Sequence, residues 1–304
     1  MWATPVPVLR DSTVPRSKPR QLNLAWLLKI GRLFGTNPFT IVENNLDAKN
    51  GWKMYSLLVV VLFLILSGYV TMRPYELTKG FVAPELLHFA LAISLVVEGF
   101  AFPIVVLIHN QRFAQVMITI HTAYISDDNR RAVELRCRLF CYFTAFAVAV
   151  FTAKMIYSNY TKEGLLFLFM GNLGWMWDTM QIALSFLGGT QFCSSVLLLK
   201  AQITQLNADI LDIQNNRRCG DFLKMYEHIF RAAVSLNEIY HVPLLALFLA
   251  SFLNQILGFN MLIIRQSFWI LRLFIASMSM LKLWALISVC ESAHRSVSDR
   301  KTRF

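Results

Sequence analysis

Five charged side chains lie inside or at the edge of long apolar stretches of this sequence, where an unpaired charge is costly. They are Glu98, Lys154, Asp178, Arg272 and Lys282. Such groups normally pair with one another or contact a polar ligand, because an apolar environment cannot solvate them. Glu98 lies nearest the middle of its stretch, so it is the leading candidate for ligand contact, and a Glu98–Lys154 pair is one arrangement. The alternative is structural, with each charge paired or extended toward the surface.

Polar and aromatic residues near these charges could complete a small-molecule site, because such sites place a few polar groups among aromatic ones. The full set of candidate ligand contacts is Glu98, His88, Ser94, Phe151, Lys154, Tyr157, Trp177, Asp178, Gln181, Phe252, Asn254, Gln255 and Trp269. Aromatic residues near the ends of apolar stretches also act as anchors at a membrane surface. Each aromatic candidate therefore has a structural alternative.

Motifs for catalysis and metal binding are missing from the sequence. It contains no glycine-rich phosphate loop, no H-E-x-x-H and no Cys/His spacing typical of a metal site. Its six histidines lie far apart and without a recognisable context. We therefore expect no enzymatic activity, no cofactor and no metal.

Six apolar runs must position the candidate residues. They cover approximately residues 54–72, 86–108, 139–157, 178–199, 242–264 and 268–289. Each is near the ~20 residues that a helix needs to cross ~30 Å of hydrocarbon. With 56% hydrophobic residues, the sequence predicts an all-α, polytopic membrane bundle of six spans. The net charge of +11 then belongs to basic loops and indicates no nucleic-acid partner.

The basic residues also predict the orientation in the membrane. Most of the 29 Lys and Arg residues lie in the N-terminal segment, the second and fourth loops and the C-terminal tail. The other loops contain only Arg73, Lys79, Lys162 and Arg265. Because basic loops stay on the cytoplasmic side, the N-terminus is predicted to be cytoplasmic. The sequon that begins at Asn159 then lies outside, where Asn159 could be glycosylated. No loop assigned to the outside contains a cysteine, so the thiols are expected to stay reduced.

Three flanking segments have their own signatures. Residues 1–21 are polar and rich in proline, which predicts a disordered cytoplasmic start. Leu22–Phe34 has apolar residues at helical spacing and is predicted to lie on the inner leaflet as an amphipathic helix. Leu165–Trp177 is apolar but contains Gly171 and Gly174, so we expect an outer loop or a partial helix folded against the bundle. The membrane domain then covers 22–295, with a cytoplasmic tail at 296–304.

The fourth loop predicts a helical hairpin that extends spans four and five into the cytoplasm. Two apolar seams with heptad-like spacing flank a polar break at 215–220. The seam residues are Leu199, Ile203, Leu206, Ile210 and Ile213, then Phe222, Met225, Ile229, Ala232, Leu236 and Ile239. Either the two helices pack on each other, or the seams form an interface between subunits. A similar stripe at Phe113, Val116, Met117 and Ile120 continues span two.

Three segments in this order resemble the insect gustatory receptor family. Residues 30–39, IGRLFGTNPF, resemble that family's N-terminal stretch that ends in Gly-x-x-Pro-Phe. Residues 236–245, LNEIYHVPLL, resemble its entry into span five, and residues 289–294, VCESAH, resemble the cytoplasmic end of its span six. The likeness in layout extends over most of 22–295. Insect odorant receptors share this architecture and are the nearest family with which it could be confused.

The resemblance implies a ligand-gated, nonselective cation channel in the plasma membrane of sensory neurons, usually a homo- or heterotetramer. It implies a small-molecule tastant as ligand, bound among the spans in the outer half of the membrane. The family's pore is lined by a seventh span with a Thr-Tyr…Gln-Phe signature. Only Cys290–Phe304 follow span six here, and they are polar. We therefore expect a truncated sequence rather than a six-span channel, and a further apolar segment at the 3′ end of the transcript.

Two other classes of membrane protein compete with this interpretation. A small-solute transporter would be favoured by broken helices in two matching halves, but the sequence has no internal repeat. A metabotropic receptor is opposed by the cytoplasmic N-terminus, by the lack of an Asp-Arg-Tyr-type triplet after span three and by the lack of Asn-Pro-x-x-Tyr. The bitter, sugar and carbon dioxide branches of the family are not distinguished by these residues.

Overall fold

The computed structural model describes most of the chain from Leu24 onward. The described backbone covers residues 24–37, 40–42, 45–47, 50–78, 83–122, 125–160, 165–213, 219–264 and 269–298, and the side chains of some residues within these ranges are not described. The predicted disorder of 1–21 and most of the predicted tail therefore lie outside the described residues.

The described residues form eight helices and one short hairpin. The helices are α1 Ala25–Leu33, α2 Asn50–Thr78, α3 Ala83–Ile108, α4 Asn110–Thr122, α5 Asp127–Tyr160, α6 Leu165–Ile213, α7 Cys219–Ile264 and α8 Trp269–Ser298. Strands β1 (Thr40–Val42) and β2 (Asn45–Asp47) pair antiparallel, with Thr40 opposite Asp47. The predicted all-α helical bundle is confirmed.

The six predicted spans fall within α2, α3, α5, α6, α7 and α8. Among the described residues, three helices are apolar enough over a sufficient length to cross a membrane: Gly51–Gly68, Ala183–Ala208 and Leu223–Leu253. Val96–Ile108 in α3 is a shorter apolar stretch. The other spans and all six boundaries stay predictions. Helices suit these sequences because every backbone polar group is satisfied within the segment.

Helix α6 corrects one expectation. Leu165–Trp177 is neither a loop nor a separate partial helix, because α6 runs without interruption from Leu165 to Ile213. A single glycine in a helix costs only about 1 kcal/mol, so Gly171 and Gly174 do not break an otherwise apolar helix. Its 49 residues span about 70 Å at 1.5 Å per residue, and α6 contacts every other long helix.

The predicted helical hairpin is present, with α6 ending at Ile213 and α7 beginning at Cys219. The seams pack within one hydrophobic cluster of the chain: Leu199, Leu206, Ile229, Ala232, Leu236 and Ile239 are all buried there. Met225, which the spacing placed in the buried seam, is 41% exposed. The side chains of Ile210, Ile213 and Phe222 lie outside the described residues.

An aromatic cluster marks the centre of this core, where α3, α4, α6 and α7 meet. The ring of Tyr240 lies 5.0 Å from the rings of both Phe102 and Phe192, and 6.3 Å from that of Phe113. Helix α6 approaches closely here because Gly188 has no side chain, since a Cβ atom at that position would lie 3.1 Å from the Phe102 ring. The predicted stripe Phe113, Val116, Met117 and Ile120 is buried on α4.

Helix α1 packs on the bundle with its apolar side. Leu24 and Leu27 belong to the central hydrophobic cluster, and Trp26, Ile30 and Phe34 pack against it. The predicted helix is present with its apolar side on the bundle, and its place at the inner leaflet stays a prediction. A buried polar contact fixes the end of the segment, where the Gln191 amide of α6 donates to the Thr36 hydroxyl at 3.2 Å. Gly35 there has φ of +72°, a conformation that favours glycine.

A buried polar cluster between three helices

A cluster of polar side chains lies between α3, α6 and α8, which we call the buried polar cluster. Lys282 of α8 forms an ion pair with Glu98 of α3. Ser185 of α6 bridges the two, because its hydroxyl donates to the Glu98 carboxylate at 2.7 Å and accepts from the Lys282 ammonium group at 2.8 Å. The side chains of Glu98 and Lys282 are only 6% and 5% exposed.

Close packing of the helices brings these groups together. Helix α3 touches the backbone of α6 at Gly99, where a Cβ atom would lie 3.3 Å from the Cα atom of Gln181. Ser185 follows Gln181 by one helical turn and lies on the same side of α6. Lys282 reaches this crossing from α8, with its ammonium nitrogen 5.2 Å from the centre of the Phe186 ring. The aromatic face adds a favourable cation–π contact.

The charges in this cluster depend on each other. Taking a charge out of water costs several kcal/mol, and only a well-placed opposite charge with further hydrogen bonds offsets that cost. The Glu98 carboxylate, the Lys282 ammonium group and the Ser185 hydroxyl meet this requirement together. Loss of one charged partner would leave the other buried and uncompensated.

Gln181 adds an unused hydrogen-bond donor beside the cluster. Its side chain is 2% exposed, and its Nε2 atom has no hydrogen-bond partner among the residues that the structure describes. A buried amide in this state gains free energy from any acceptor placed within reach. Ser94, one turn from Glu98 toward the start of α3, is also buried.

The structure brings together some of the residues selected from the sequence. Ser94, Glu98 and Gln181 lie near the crossing of α3 and α6, and Gln255 is buried on α7. Phe252 is 62% exposed, so its side chain points out of the bundle and not toward these residues. The remaining candidates have side chains outside the described residues: His88, Phe151, Lys154, Tyr157, Trp177, Asp178, Asn254 and Trp269, together with the predicted glycosylation site Asn159.

The sequence alone did not identify Lys282 as a partner of Glu98, and Ser185 was not selected as a candidate. Glu98 pairs with Lys282, which is buried rather than extended toward the surface. The side chain of Lys154 lies outside the described residues, so the predicted Glu98–Lys154 pair stays a prediction. The sequence around Ser185 did not mark it as a candidate, because serines are common in apolar helices. The usable signal was the spacing Gln181–Ser185, which places two polar groups on one side of α6.

The described cysteines and acidic residues form no metal centre. Within the described part of the chain, no group of three His, Cys, Asp or Glu side chains could hold a metal ion. Cys137, Cys141, Cys193 and Cys290 are all free thiols. Burial raises the pKa of the Cys137 thiol at the start of α5 to about 12, which keeps this group protonated and unreactive at neutral pH.

Comparisons with known proteins give one family and one fold. A family described as 7tm Chemosensory receptor matches residues 24–302. No curated protein matches the sequence. Among solved structures, the insect olfactory receptor OR5 from Machilis hrabei is similar, with a TM-score of 0.75 and 12% sequence identity over 89% of this chain and 79% of that chain. At that identity the likeness applies to the fold.

Proposed function

This chain belongs to the 7tm chemosensory receptor family, and we propose that it is a gustatory-type subunit of a ligand-gated, nonselective cation channel. Its ligand is a small-molecule tastant, and its partners are other receptor subunits in a homo- or heterotetramer. It resides in the plasma membrane of sensory neurons with a cytoplasmic N-terminus. The sequence segments at 30–39, 236–245 and 289–294 support the gustatory assignment over other branches of the family.

The observation that carries this proposal is the buried polar cluster in a chain of this family. Charged groups buried in a membrane bundle are costly and are commonly associated with ligand or ion pathways. Glu98, Ser185 and Lys282 connect three helices, so a ligand at this crossing would change how α8 packs against α3 and α6. The Nε2 atom of Gln181, which has no hydrogen-bond partner among the described residues, gives such a ligand a donor, with Ser94 and Glu98 nearby. Lys154, Asp178 and the other residues selected from the sequence remain further candidates for contact.

The test is ligand-evoked current in cells that express the protein from its complete transcript. A panel of bitter and sweet compounds should evoke a cation current, and Glu98→Gln should abolish the response or shift its concentration dependence at least tenfold. The matched control is Glu291→Gln, because Glu291 lies on α8 but is exposed and paired with Arg295 one turn away. Surface labelling must show equal amounts of each variant. Unchanged currents in Glu98→Gln would contradict the assigned site.

The orientation has a separate test. An epitope tag at the N-terminus should be inaccessible to antibody on intact cells and accessible after permeabilisation. Mutation of the sequon, Asn159→Gln, should remove an endoglycosidase-sensitive shift in electrophoretic mobility. A tag that is accessible on intact cells would contradict the cytoplasmic N-terminus and, with it, the channel assignment.

An odorant-type receptor is the second candidate, because a solved structure that resembles this fold is that of an olfactory receptor. The same cells exposed to volatile odorants distinguish the two, since an odorant receptor would respond to these and not to tastants. Uptake of a labelled solute without any current would instead favour a small-solute transporter.

A further inference from the structure

Three basic residues lie on the two helices that meet where α1 ends against the start of α2, in a region that we call the α1–α2 corner. They are Lys29 and Arg32 of α1 and Lys53 of α2. The Tyr55 hydroxyl of α2 donates to the carbonyl of Leu33 at 2.8 Å and holds the end of α1 against α2. The guanidinium carbon of Arg32 lies 5.0 Å from the centre of the Trp52 ring, and Lys53 is the residue that follows Trp52 in α2.

Among the residues that the structure describes, no acidic side chain pairs with the basic residues of the α1–α2 corner. Residues 24–37 and 50–68 contain no Asp or Glu. Asp47 is the nearest acidic residue before α2, but it belongs to β2, which lies against α4. Among the residues that the structure describes, no partner pairs with Lys29 or Lys53, both of which are exposed. The Nε atom of Arg32 is buried without a hydrogen-bond partner in the same described set.

An apolar surface begins directly beside this charge. Met54 follows Lys53 and is 62% exposed, and Leu58 one turn later is 66% exposed. The exposed face continues along α2 to Ile65, and Leu33 adds to it at the end of α1. Binding of an anionic lipid requires basic residues for the phosphate and an apolar surface for the acyl chains. The α1–α2 corner and the exposed face of α2 provide these two surfaces side by side.

We propose that the α1–α2 corner binds the headgroup of an anionic phospholipid, whose acyl chains lie along the exposed face of α2. The Arg32 guanidinium group donates to a phosphate oxygen, and Lys29 and Lys53 supply charge at its rim. Trp52, which stacks under Arg32, is a residue type that favours the headgroup level. The site lies apart from the buried polar cluster and does not depend on the proposed channel activity.

The experiment measures lipid preference directly on the purified full chain in neutral detergent. Fluorescent phosphatidylserine and phosphatidylcholine with identical acyl chains are titrated with the protein, and binding is followed by fluorescence anisotropy. Phosphatidylserine should bind more tightly than phosphatidylcholine. Lys53→Gln should weaken phosphatidylserine binding roughly fivefold, the factor that corresponds to ~1 kcal/mol for one basic residue near an anionic surface. Adding Lys29→Gln and Arg32→Gln should remove the preference.

The matched control removes three other exposed basic residues with Arg112→Gln, Arg231→Gln and Arg295→Gln, each of which is paired with a glutamate. This control has the same net charge as the corner variant and should keep the preference. Equal weakening in both triple variants would overturn the proposal, because net charge alone would then explain binding. Competition by inorganic phosphate as effective as that by the lipid would also overturn it. Lys53→Gln, at an exposed position, provides the test if the triple corner variant fails to fold.

Discussion

Helix α6 contacts its neighbours in two different ways within a few turns. Around Ser185 it meets α3 and α8 through the buried polar cluster, where two opposite charges and a hydroxyl satisfy one another. Around Gly188 and Phe192 it meets α3 and α7 through the aromatic cluster of Phe102 and Tyr240. The first contact fails when a single partner is lost, whereas the second loses stability in proportion to lost packing. A ligand can therefore alter the polar contact strongly, while the aromatic contact preserves the bundle.

The largest effect is expected when Lys282 loses its charge. Lys282→Met removes the ammonium group that forms the ion pair with the buried Glu98 carboxylate, and breaking a buried pair in this way typically costs about 3–5 kcal/mol. Unfolding of the purified protein in mixed micelles by titration with sodium dodecyl sulfate should show this loss of free energy. The double variant Glu98→Leu with Lys282→Met should recover most of it, since no buried charge remains. A single variant as stable as the parent would show that the pair contributes nothing to the bundle.

Two adjacent glycines test how tightly the aromatic contact is packed. Gly188→Ala should destabilise the protein by about 1–3 kcal/mol, because the new methyl group would lie 3.1 Å from the Phe102 ring. Gly189→Ala is the matched control, since no described atom from outside the local helix backbone lies within 4 Å of a Cβ there, and it should stabilise α6 by up to about 1 kcal/mol. Melting temperatures from fluorescence-detected size-exclusion chromatography would reveal the opposite signs. If both variants raised the melting temperature, Phe102 would move aside without loss of stability.

The smallest effect is expected at the phenol oxygen of Tyr240. This hydroxyl is buried and has no hydrogen-bond partner within the described part of the chain, so Tyr240→Phe removes an unsatisfied group and keeps the stacked ring. The free energy of unfolding should stay within about 0.5 kcal/mol of the parent's or rise slightly. Ser185→Ala, which deletes a hydroxyl with two partners, should destabilise in the same thermal assay. A clear loss in Tyr240→Phe would indicate that a hydrogen bond to this oxygen exists in solution.

The bundle could be predicted from the sequence because long apolar runs and heptad-like seams are local signals. The seam residues Leu206, Ile229 and Leu236 were identified from spacing alone, and they are buried. The continuous α6 was missed because two glycines count as breaks in sequence but cost little within a well-packed helix.

The candidate site could be predicted only in part. Glu98 stood out because a carboxylate inside an apolar run requires compensation. From the sequence, only Lys154 was proposed as its partner and the pair with Lys282 was not identified, since hydrophobic periodicity gives the buried side of a helix but not which helix it faces. Ser185 became visible only through the crossing of α3 and α6 at Gly99, a contact between positions that lie far apart in sequence.

Because α6 is one unbroken helix, a rotation of the helix at one contact moves its other contacts as well. It carries Ser185 in the polar cluster, Gln191 at the contact with α1 and Leu206 in the hairpin seam. Ser185 and Leu206 are separated by about 30 Å along the axis at 1.5 Å per residue. A tilt of about 5° around Ser185 would therefore displace the seam by roughly 3 Å over that length. Stiffness in one helix thus converts a small tilt at the polar cluster into a larger displacement of the hairpin seam.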